Sequence, residues 1–369
     1  MQTVVLITGG AGFIGSHLAD ELLAHGYRVR ALDNLIDQVH AGAARPTYLD
    51  PDVELIEGDV RDPDTVRRSL RGIDTVVHLA ARVGVGQSMY ELMEYAAANT
   101  AGTAVLLEAI LDHPVRKLIV ASSMSVYGEG LYEASEGDLV EAARTPDQLA
   151  RGDWDLVDDH GRPLRPVPTP ETKHPMLASV YALTKYDQER LCLIFGDAYG
   201  IPTVALRFFN TYGTRQALSN PYTGVLAIFA SRLLNGKQPL VFEDGLQRRD
   251  FVAVSDVTRA CRLALESDRP NGRTINVGTG CGISVLEIAE KLARVLGTDV
   301  EPYVTGKFRA GDIRHCFADI ALARALLEYE PTVGLEQGMA ELAEWLEGQV
   351  VEDNVETAAE ELATRGLTR

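Results

Sequence analysis

The sequence contains little cysteine and little positive charge. Its four cysteines, Cys192, Cys261, Cys281 and Cys316, are far apart and form no Cys-x-x-Cys pair, which is typical of reduced cytosolic thiols. Lysine and arginine number 35 against 53 aspartates and glutamates, giving a formal net charge of −18. We therefore expect no nucleic-acid partner and no anionic membrane partner. An anionic ligand would have to be held by local arginines and helix N-termini.

The sequence also lacks a long apolar run. No stretch approaches the roughly 18 uninterrupted apolar residues expected of a transmembrane helix. The first strand is predicted from about Val4, which leaves no space for a signal peptide, so we expect a cytoplasmic protein. The 369 residues, 46% of them hydrophobic, are enough for one large core or for a core with an appended lobe.

Apolar strands and helices alternate along the N-terminal half. Strands are predicted at about residues 4–8, 27–33, 53–58, 75–80 and 117–122, and one long helix is predicted at about residues 93–111. This alternation predicts an α/β fold built on a doubly wound parallel sheet of the Rossmann type, with helices on both faces.

The segment TGGAGFIG at residues 8–15 follows the first strand and opens a helix. Its glycines would let the backbone approach a pyrophosphate at the helix N-terminus. Asp33 ends the second strand, where a carboxylate can bind the adenosine ribose and would repel a 2′-phosphate, so NAD is predicted rather than NADP. Asp59 follows the third strand, where an adenine edge would lie, although a surface turn aspartate is an equally good interpretation.

Tyr181, Lys185 and Ser123 combine into a group that can remove a proton from an alcohol. Tyr181 and Lys185 are four residues apart, hence on one face of a helix, where a lysine cation favours the phenolate. Such a pair is more often plain helix surface, so the functional interpretation depends on Ser123. That residue follows the strand at 117–122, at the edge of the sheet where ligands bind in this fold. Its hydroxyl could orient a substrate alcohol beside the phenolate.

Seven ordered motifs resemble those of the extended short-chain dehydrogenases/reductases, in the nucleotide-sugar epimerase and dehydratase group. They are TGGAGFIG at 8–15, HLAA at 78–81, SSMSVYG at 122–128, YALTK at 181–185, RFFNTYG at 207–213, RRDFV at 248–252 and RAGD at 309–312. The resemblance covers about residues 2–347 and implies a division of the chain. It comprises an NAD-binding Rossmann domain over 1–210 with an insertion at 131–175 and returning segments at about 250–280, a smaller, mainly substrate-binding α/β lobe over 211–347, and an acidic tail over 348–369.

The resemblance also implies a role for individual residues. Tyr181 would be the catalytic base, Lys185 would bind the nicotinamide ribose and lower the tyrosine pKa, and Ser123 would assist. The NAD site would comprise Gly9, Gly12, Phe13, Ile14, Gly15, Asp33, Asn34, Asp59, Val60, Leu79, Ala80, Ala81, Asn99, Ser122, Tyr181, Lys185 and Phe208. A nucleotide-diphosphate sugar would contact Ser123, Ser125, Asn210, Leu240, Phe242, Arg249 and Arg309.

Two further expectations accompany these roles. Arg249 and Arg309 would hold the diphosphate, although salt bridges with Asp250 or Asp312 are the alternative. A homodimer is implied through a four-helix contact made by the helices at about 93–111 and 178–199.

The loop at residues 123–127 indicates the type of reaction. It reads Ser-Met-Ser-Val-Tyr where sugar 4,6-dehydratases of this group carry Thr-Asp-Glu-Val-Tyr. Met124 cannot protonate a leaving hydroxyl, and Ser125 is a poor base for an acidic C–H bond. The pattern therefore resembles the 4-epimerases, which oxidise C4 transiently to a 4-keto sugar and then reduce it again.

The sugar is indicated by a second segment. QALSNPY at 216–222 resembles a subset that includes dTDP-L-rhamnose 4-epimerases. The alternatives are a UDP-hexose or UDP-uronate 4-epimerase, a nucleotide-sugar ketoreductase or dehydratase, and, least favoured, a dinucleotide-binding regulator without activity.

The insertion at 131–175 makes Ser123 and Tyr181 further apart than is usual in this group. It contains four prolines between residues 163 and 170, which predict an extended segment with little regular structure. A substrate lid is the favoured role for this segment, and the alternatives are a dimer contact or a surface excursion. It contains no cysteine and only His160 and His174, so we expect no zinc site there. The acidic, alanine-rich end of the chain is predicted to be a terminal helix or a frayed tail.

Overall fold

A computed structural model describes residues 2–40, 42, 45–349 and 351–368. The strands are β1 (Val4–Thr8), β2 (Arg28–Asp33), β3 (Glu54–Glu57), β4 (Thr75–His78), β5 (Lys117–Ser123), β6 (Leu131–Glu133), β7 (Leu139–Val140), β8 (Arg165–Val167), β9 (Thr203–Phe208), β10 (Asn210–Tyr212), β11 (Leu240–Val241), β12 (Arg248–Arg249), β13 (Phe251–Ala253), β14 (Arg273–Val277), β15 (Ile283–Ser284), β16 (Tyr303–Val304) and β17 (His315–Cys316). The helices are α1 (Phe13–Ala24), α2 (Asp37–His40), α3 (Pro63–Leu70), α4 (Val85–Ser88), α5 (Leu92–Tyr95), α6 (Gly102–Asp112), α7 (Pro146–Ala150), α8 (Val180–Tyr199), α9 (Val225–Leu234), α10 (Val254–Glu266), α11 (Val285–Val295), α12 (Ala321–Leu327), α13 (Leu335–Leu346) and α14 (Val355–Thr364).

Seven parallel strands form the central sheet, in the order β3-β2-β1-β4-β5-β9-β14. Helices α1 and α10 pack in one hydrophobic cluster and α3, α6 and α8 in another, so both faces of the sheet are covered. This arrangement confirms the predicted doubly wound Rossmann sheet. Because the strands are parallel, their carboxyl ends share one edge, where the glycine turn, Asp33, Ser123 and Phe208 all lie.

A second, smaller hydrophobic core is formed by residues between 212 and 346. Apolar side chains of α9, α11 and α13 pack together there, apart from the central sheet. Ser284 begins α11, and its hydroxyl accepts a hydrogen bond from the Glu287 N–H at 3.1 Å. This core is the predicted C-terminal α/β lobe. Of the helices in the described residues, none is long and apolar enough to span a membrane.

The insertion (residues 131–175) is folded. Strand β6 lies between β7 and β8 in an antiparallel sheet, and Tyr132, Leu156 and Leu164 form a small apolar cluster beside it. Pro166 lies in β8, which is an edge strand of this sheet. Proline has no backbone N–H to donate, and edge strands tolerate it for that reason. Most of the insertion has little regular structure, as predicted, but its short strands and apolar cluster give it a packed form that was not predicted.

The helix predicted at 93–111 contains a π-turn. Residues Ala96–Ala101 form that turn between α5 and α6, and Asn99 lies inside it, fully buried. Short π-turns within α-helices often occur at functional sites.

Candidate active site

A cavity of about 620 Å³ lies at the carboxyl edge of the central sheet and reaches the second core. All of the residues predicted for cofactor and substrate line it, with the exception of Asn99. The Asn99 side chain instead lies behind the wall, where its Oδ1 accepts the Arg82 N–H at 2.7 Å and its Nδ2 donates to the Arg82 carbonyl at 3.1 Å. Asn99 therefore holds the backbone of a lining residue, which corrects its predicted place in the wall.

The glycine turn has no space for side chains. A Cβ on Gly15 would overlap the Gly9 carbonyl oxygen, and a Cβ on Gly9 would lie 2.9 Å from the Ala80 nitrogen. Gly9 also has φ +71°, a conformation that L side chains rarely adopt. Asp33 is fixed at the cavity wall because its two carboxylate oxygens each accept a backbone N–H, from Ala11 and Leu35, at 3.0 Å. A glycine turn without side chains can approach the pyrophosphate of a dinucleotide, and the fixed Asp33 carboxylate can bind a ribose that carries no 2′-phosphate.

Tyr181 and Ser123 meet at the same edge. Tyr181 lies in the first turn of α8, and the Ser88 hydroxyl oxygen accepts its N–H at 3.0 Å. Burial raises the pKa of the Tyr181 phenol, and its hydrogen bond with the Ser123 side chain opposes that shift. Ser123 thus contacts the group predicted to be the base.

Lys185 lies one helical turn further along α8, and its side chain is buried. Its Nζ donates to Gln188 Oε1 at 2.6 Å. Burial lowers the pKa of the Lys185 ammonium to about 8, while the nearby Cys192 and Glu189 oppose that shift. The ammonium is therefore charged at neutral pH, which lies about one unit below this pKa.

The loop after β5 carries hydroxyl groups in place of carboxylates. Ser123 Oγ accepts from the Ser125 hydroxyl at 2.8 Å and from the Ser125 N–H at 3.2 Å. Met124 is buried beside them. The Ser122 hydroxyl points inward and donates to Glu189 Oε2 at 2.6 Å. Within this loop, hydroxyls alone can act as proton donors or acceptors.

Two arginines face the other end of the cavity and share one carboxylate. Arg309 bonds to Asp312 at 2.9 Å and lies 4.5 Å above the Phe242 ring, and Arg249 reaches the same carboxylate at 3.4 Å. Burial opposes ionisation of Asp312, but Arg309 and Arg249 outweigh it and lower the Asp312 pKa. Asp250 forms neither of the predicted alternative salt bridges, because its carboxylate accepts backbone N–H groups of residues 279, 280 and 318. Because the two arginines share the single carboxylate of Asp312, one positive charge of this group remains to attract an anionic ligand.

The C-terminal segment supplies a wall that the sequence analysis missed. Val355, Ala358, Ala359, Leu362 and Leu367 line the cavity, whereas none of the described residues of the insertion does, and the lid remains a prediction. The spacing of the first four, i, i+3, i+4 and i+7, is that of an apolar helical stripe and was the available signal. No group of three or more His, Cys, Asp or Glu within the described ranges is arranged to hold a metal ion.

The sequence matches the profile of the NAD dependent epimerase/dehydratase family over residues 5–147 and 159–278, more than half of its length. The chain belongs to this family. It is 37% identical to a dTDP-L-rhamnose 4-epimerase of Burkholderia thailandensis over 348 residues, which are 93% of this chain and 94% of that relative.

Solved structures of epimerases share the fold. The UDP-glucose 4-epimerase of Thermotoga maritima, with UDP-glucose, superposes with a TM-score of 0.77 at 32% identity, covering 94% of this chain and 99% of that one. The UDP-glucose 4-epimerase of Thermus thermophilus, in complex with NAD, gives a TM-score of 0.75 at 31% identity, covering 94% and 100%. The predicted NAD-dependent enzyme of the nucleotide-sugar epimerase group is confirmed.

The Lys185 pKa predicts how NAD binding to this epimerase-family enzyme depends on pH. A lysine whose pKa is near 8 loses its charge as the pH rises through 8, and a charged donor makes a stronger hydrogen bond than a neutral one. We expect the dissociation constant for NAD to rise roughly tenfold between pH 7 and 9.5. Equilibrium dialysis of the apoprotein measures it.

The Lys185→Met variant should bind NAD more weakly at every pH. Its dissociation constant for NAD should no longer change with a midpoint near pH 8. Lys291→Met is the matched control, because Lys291 pairs with Glu336 at 2.9 Å, outside the cavity wall. A midpoint near 8 that persists in Lys185→Met would show that another group is responsible.

Proposed function

We propose that this chain is an NAD-dependent nucleotide-sugar 4-epimerase, with dTDP-L-rhamnose as its best substrate. The observation that carries the proposal is the site itself: Tyr181 and Ser123 adjoin in a cavity whose strand-end loop offers Met124 and Ser125 instead of carboxylates. Elimination of water requires a strong acid and a strong base beside the sugar. Removal and return of a hydroxyl proton require only the tyrosine and the serine.

Tyr181 and Ser123 would act on the C4 hydroxyl. The Ser123 hydroxyl would orient the substrate oxygen, and the Tyr181 oxygen would take its proton. When bound, NAD would supply the acceptor and later donor of the C4 hydride, with a positive ring that favours the Tyr181 phenolate. After the 4-keto sugar turns over, Tyr181 would return the proton to the C4 oxygen. Return of the hydride to the opposite face would invert C4 without net redox.

Arg249 and Arg309 would hold the nucleotide while the sugar turns. Both arginines line the cavity and are fixed by Asp312, so their positive charges are positioned to attract a diphosphate. Phe242, below Arg309, would contact the base. Such an anchor leaves the sugar as the part free to rotate, which inversion at C4 requires.

The dTDP-L-rhamnose assignment has two supports. The 37% identical relative carries that name, and residues 216–222 resemble the corresponding subset of epimerases. Gln216 and residues 220–222 line the cavity, so that segment is placed to contact substrate. UDP-hexoses and UDP-uronates are the alternatives that the experiment below distinguishes.

The test is NMR of the purified protein with a panel of nucleotide sugars and no added reductant. The panel contains dTDP-L-rhamnose, dTDP-glucose, UDP-glucose and UDP-glucuronate. We expect dTDP-L-rhamnose to interconvert with its C4 epimer, with no net change in NAD. A 4-keto-6-deoxy product would contradict the argument from Met124 and Ser125. Conversion of a UDP-sugar alone would overturn the choice of substrate.

We also infer that the enzyme is a homodimer, with the partner packed on the outer faces of α5, α6 and α8. The support is a group of large apolar side chains exposed along these helices: Leu92, Met93, Leu111, Leu183, Ile194 and Tyr199. Burial of such side chains against a second copy would stabilise the assembly.

A further inference from the structure

Residues 351–368, which we call the C-terminal cover, form part of the cavity wall. Ala358 and Leu362 are each only 7% exposed, although they lie on a helix near the end of the chain. Together with Val355, Ala359 and Leu367 they face the cavity, while Glu360 points to solvent. The apolar face of α14 is thus turned toward the space that a ligand would fill.

The cover is fastened near both of its ends. Asp353, before α14, pairs with Arg232 in the last turn of α9 at 3.1 Å and with Lys237, just after that helix, at 3.0 Å. After α14, the Leu367 carbonyl accepts the Ala310 N–H at 2.8 Å, next to Arg309. The cover therefore runs from the second core to the arginine proposed to hold the diphosphate.

Hydrogen bonds among Glu361, Tyr90 and Tyr222, which we call the latch, hold the middle of the cover. Glu361 Oε2 accepts the Tyr90 hydroxyl at 3.0 Å and the Tyr222 hydroxyl at 3.3 Å. All three side chains are partly exposed, so water can replace these hydrogen bonds when they break. Tyr90 follows α4, and Tyr222 precedes α9, so opening the latch would free the cover from both sides of the cavity entrance.

The apolar part of the cover packs against α4, the same short helix that contacts the backbone of Tyr181. A Cβ on Gly86 would be 3.3 Å from the Leu362 methyl groups, which places Leu362 directly against α4. Ser88, two residues further along α4, accepts the Tyr181 N–H. If the sugar C4 hydroxyl reaches Tyr181, the groups beside C4 approach this corner of the cavity.

We propose that the cover closes over the bound nucleotide sugar, and that Ala358 and Leu362 form the apolar subsite for the C6 methyl group of a 6-deoxy sugar. This inference rests on the proposed function and deepens it. A methyl group gains from contact with leucine, whereas a hydroxymethyl or carboxylate group would lose water there. Arg82, a cation of the same wall, is paired with Glu91 at 3.0 Å, which partly offsets its attraction for a uronate carboxylate.

The first test compares two adjacent substitutions. Leu362→Ser should lower kcat/KM for dTDP-L-rhamnose about tenfold or more, with a smaller change in the inhibition constant of the 6-hydroxylated dTDP-glucose and an unchanged content of bound NAD. Ala363→Ser is the matched control, because Ala363 is exposed on the same helix, and both constants should stay at wild-type values. Equal losses for both sugars, or no loss, would overturn the subsite.

The second test measures closure without turnover. Hydrogen–deuterium exchange in residues 351–368 should slow with dTDP-L-rhamnose and much less with thymidine diphosphate. A chain ending at Gln349 should show a raised KM and unchanged NAD binding, whereas a raised kcat/KM would mean that the segment is inhibitory and overturn the proposal.

The two tests separate failure of the cover from failure of the proposed function. If no sugar of the panel is epimerised but dTDP-L-rhamnose still slows exchange in the cover, the proposed function fails while the closure survives. If dTDP-L-rhamnose is epimerised and exchange in the cover is unchanged, the cover proposal fails by itself.

Discussion

Tyr181→Phe is expected to lower kcat for epimerisation by about 10²–10⁴-fold while leaving the bound NAD in place. The change removes one oxygen, the one that would take and return the C4 proton. The ring itself is retained, including its edge-on contact with the Tyr95 ring at 6.5 Å. NMR turnover with dTDP-L-rhamnose and the NAD released on denaturation measure the two effects.

Tyr303→Phe is the matched control for this substitution. Tyr303 lies in β16 outside the cavity wall, is 54% exposed, and should tolerate the loss of its hydroxyl without a change in rate. A Tyr181→Phe enzyme that turns over near the wild-type rate would show that the base is another group. Loss of NAD together with activity would show instead that the substitution disturbs the cofactor site.

Arg314→Met is expected to cost about 3 kcal/mol of unfolding free energy, because it removes one of the two cations that pair with the buried Glu243 carboxylate. The Arg314 side chain is 1% exposed and forms ion pairs with Asp244 at 2.6 Å, with Asp155 at 2.8 Å and with Glu243 at 3.2 Å. After the change, Glu243 keeps only Arg144, at 2.7 Å, among these cations. Urea denaturation followed by circular dichroism measures the loss.

The same substitution should raise KM for the nucleotide sugar, because Arg314 joins Asp155 of the insertion to the residues that follow Phe242. Arg324→Met is the control, since its pair with Glu330 at 2.7 Å is exposed and such pairs contribute about 0–1 kcal/mol. A loss below about 1 kcal/mol in Arg314→Met would mean that water enters the cluster and solvates the carboxylates.

The central sheet was predictable from sequence because its signals are local and strong. The strand predicted at 117–122 is β5 (Lys117–Ser123), and the glycine turn opens α1 as expected. That Ser123 and Asp33 lie on the same edge of the sheet then follows from its parallel topology alone. The partner of Arg249 and Arg309 was left open between Asp250 and Asp312, because that choice depends on contacts between distant segments.

The short strands of the insertion and the cavity contact of the cover were not predicted, for physical reasons. Prolines indicated an irregular segment, but an edge strand such as β8 tolerates Pro166. In the cover, the acidic composition indicated a solvent-exposed tail, whereas the apolar spacing of Ala358 and Leu362 indicated a buried helix face. Even with that spacing recognised, sequence alone would not have shown which surface the helix covers, because its partners are Gly86, Tyr90 and Tyr222.

The π-turn at Ala96–Ala101 affects how related sequences should be aligned. Such a turn holds one more residue than an α-helical turn, and each residue rotates an α-helix by about 100°. A relative with one residue fewer in this turn would have a regular helix, and its counterpart of Asn99 would point elsewhere. A single-residue gap here would therefore mark a family member that holds the backbone at Arg82 in another way. A helical wheel drawn across residues 92–112 would assign one half of the helix to the wrong face.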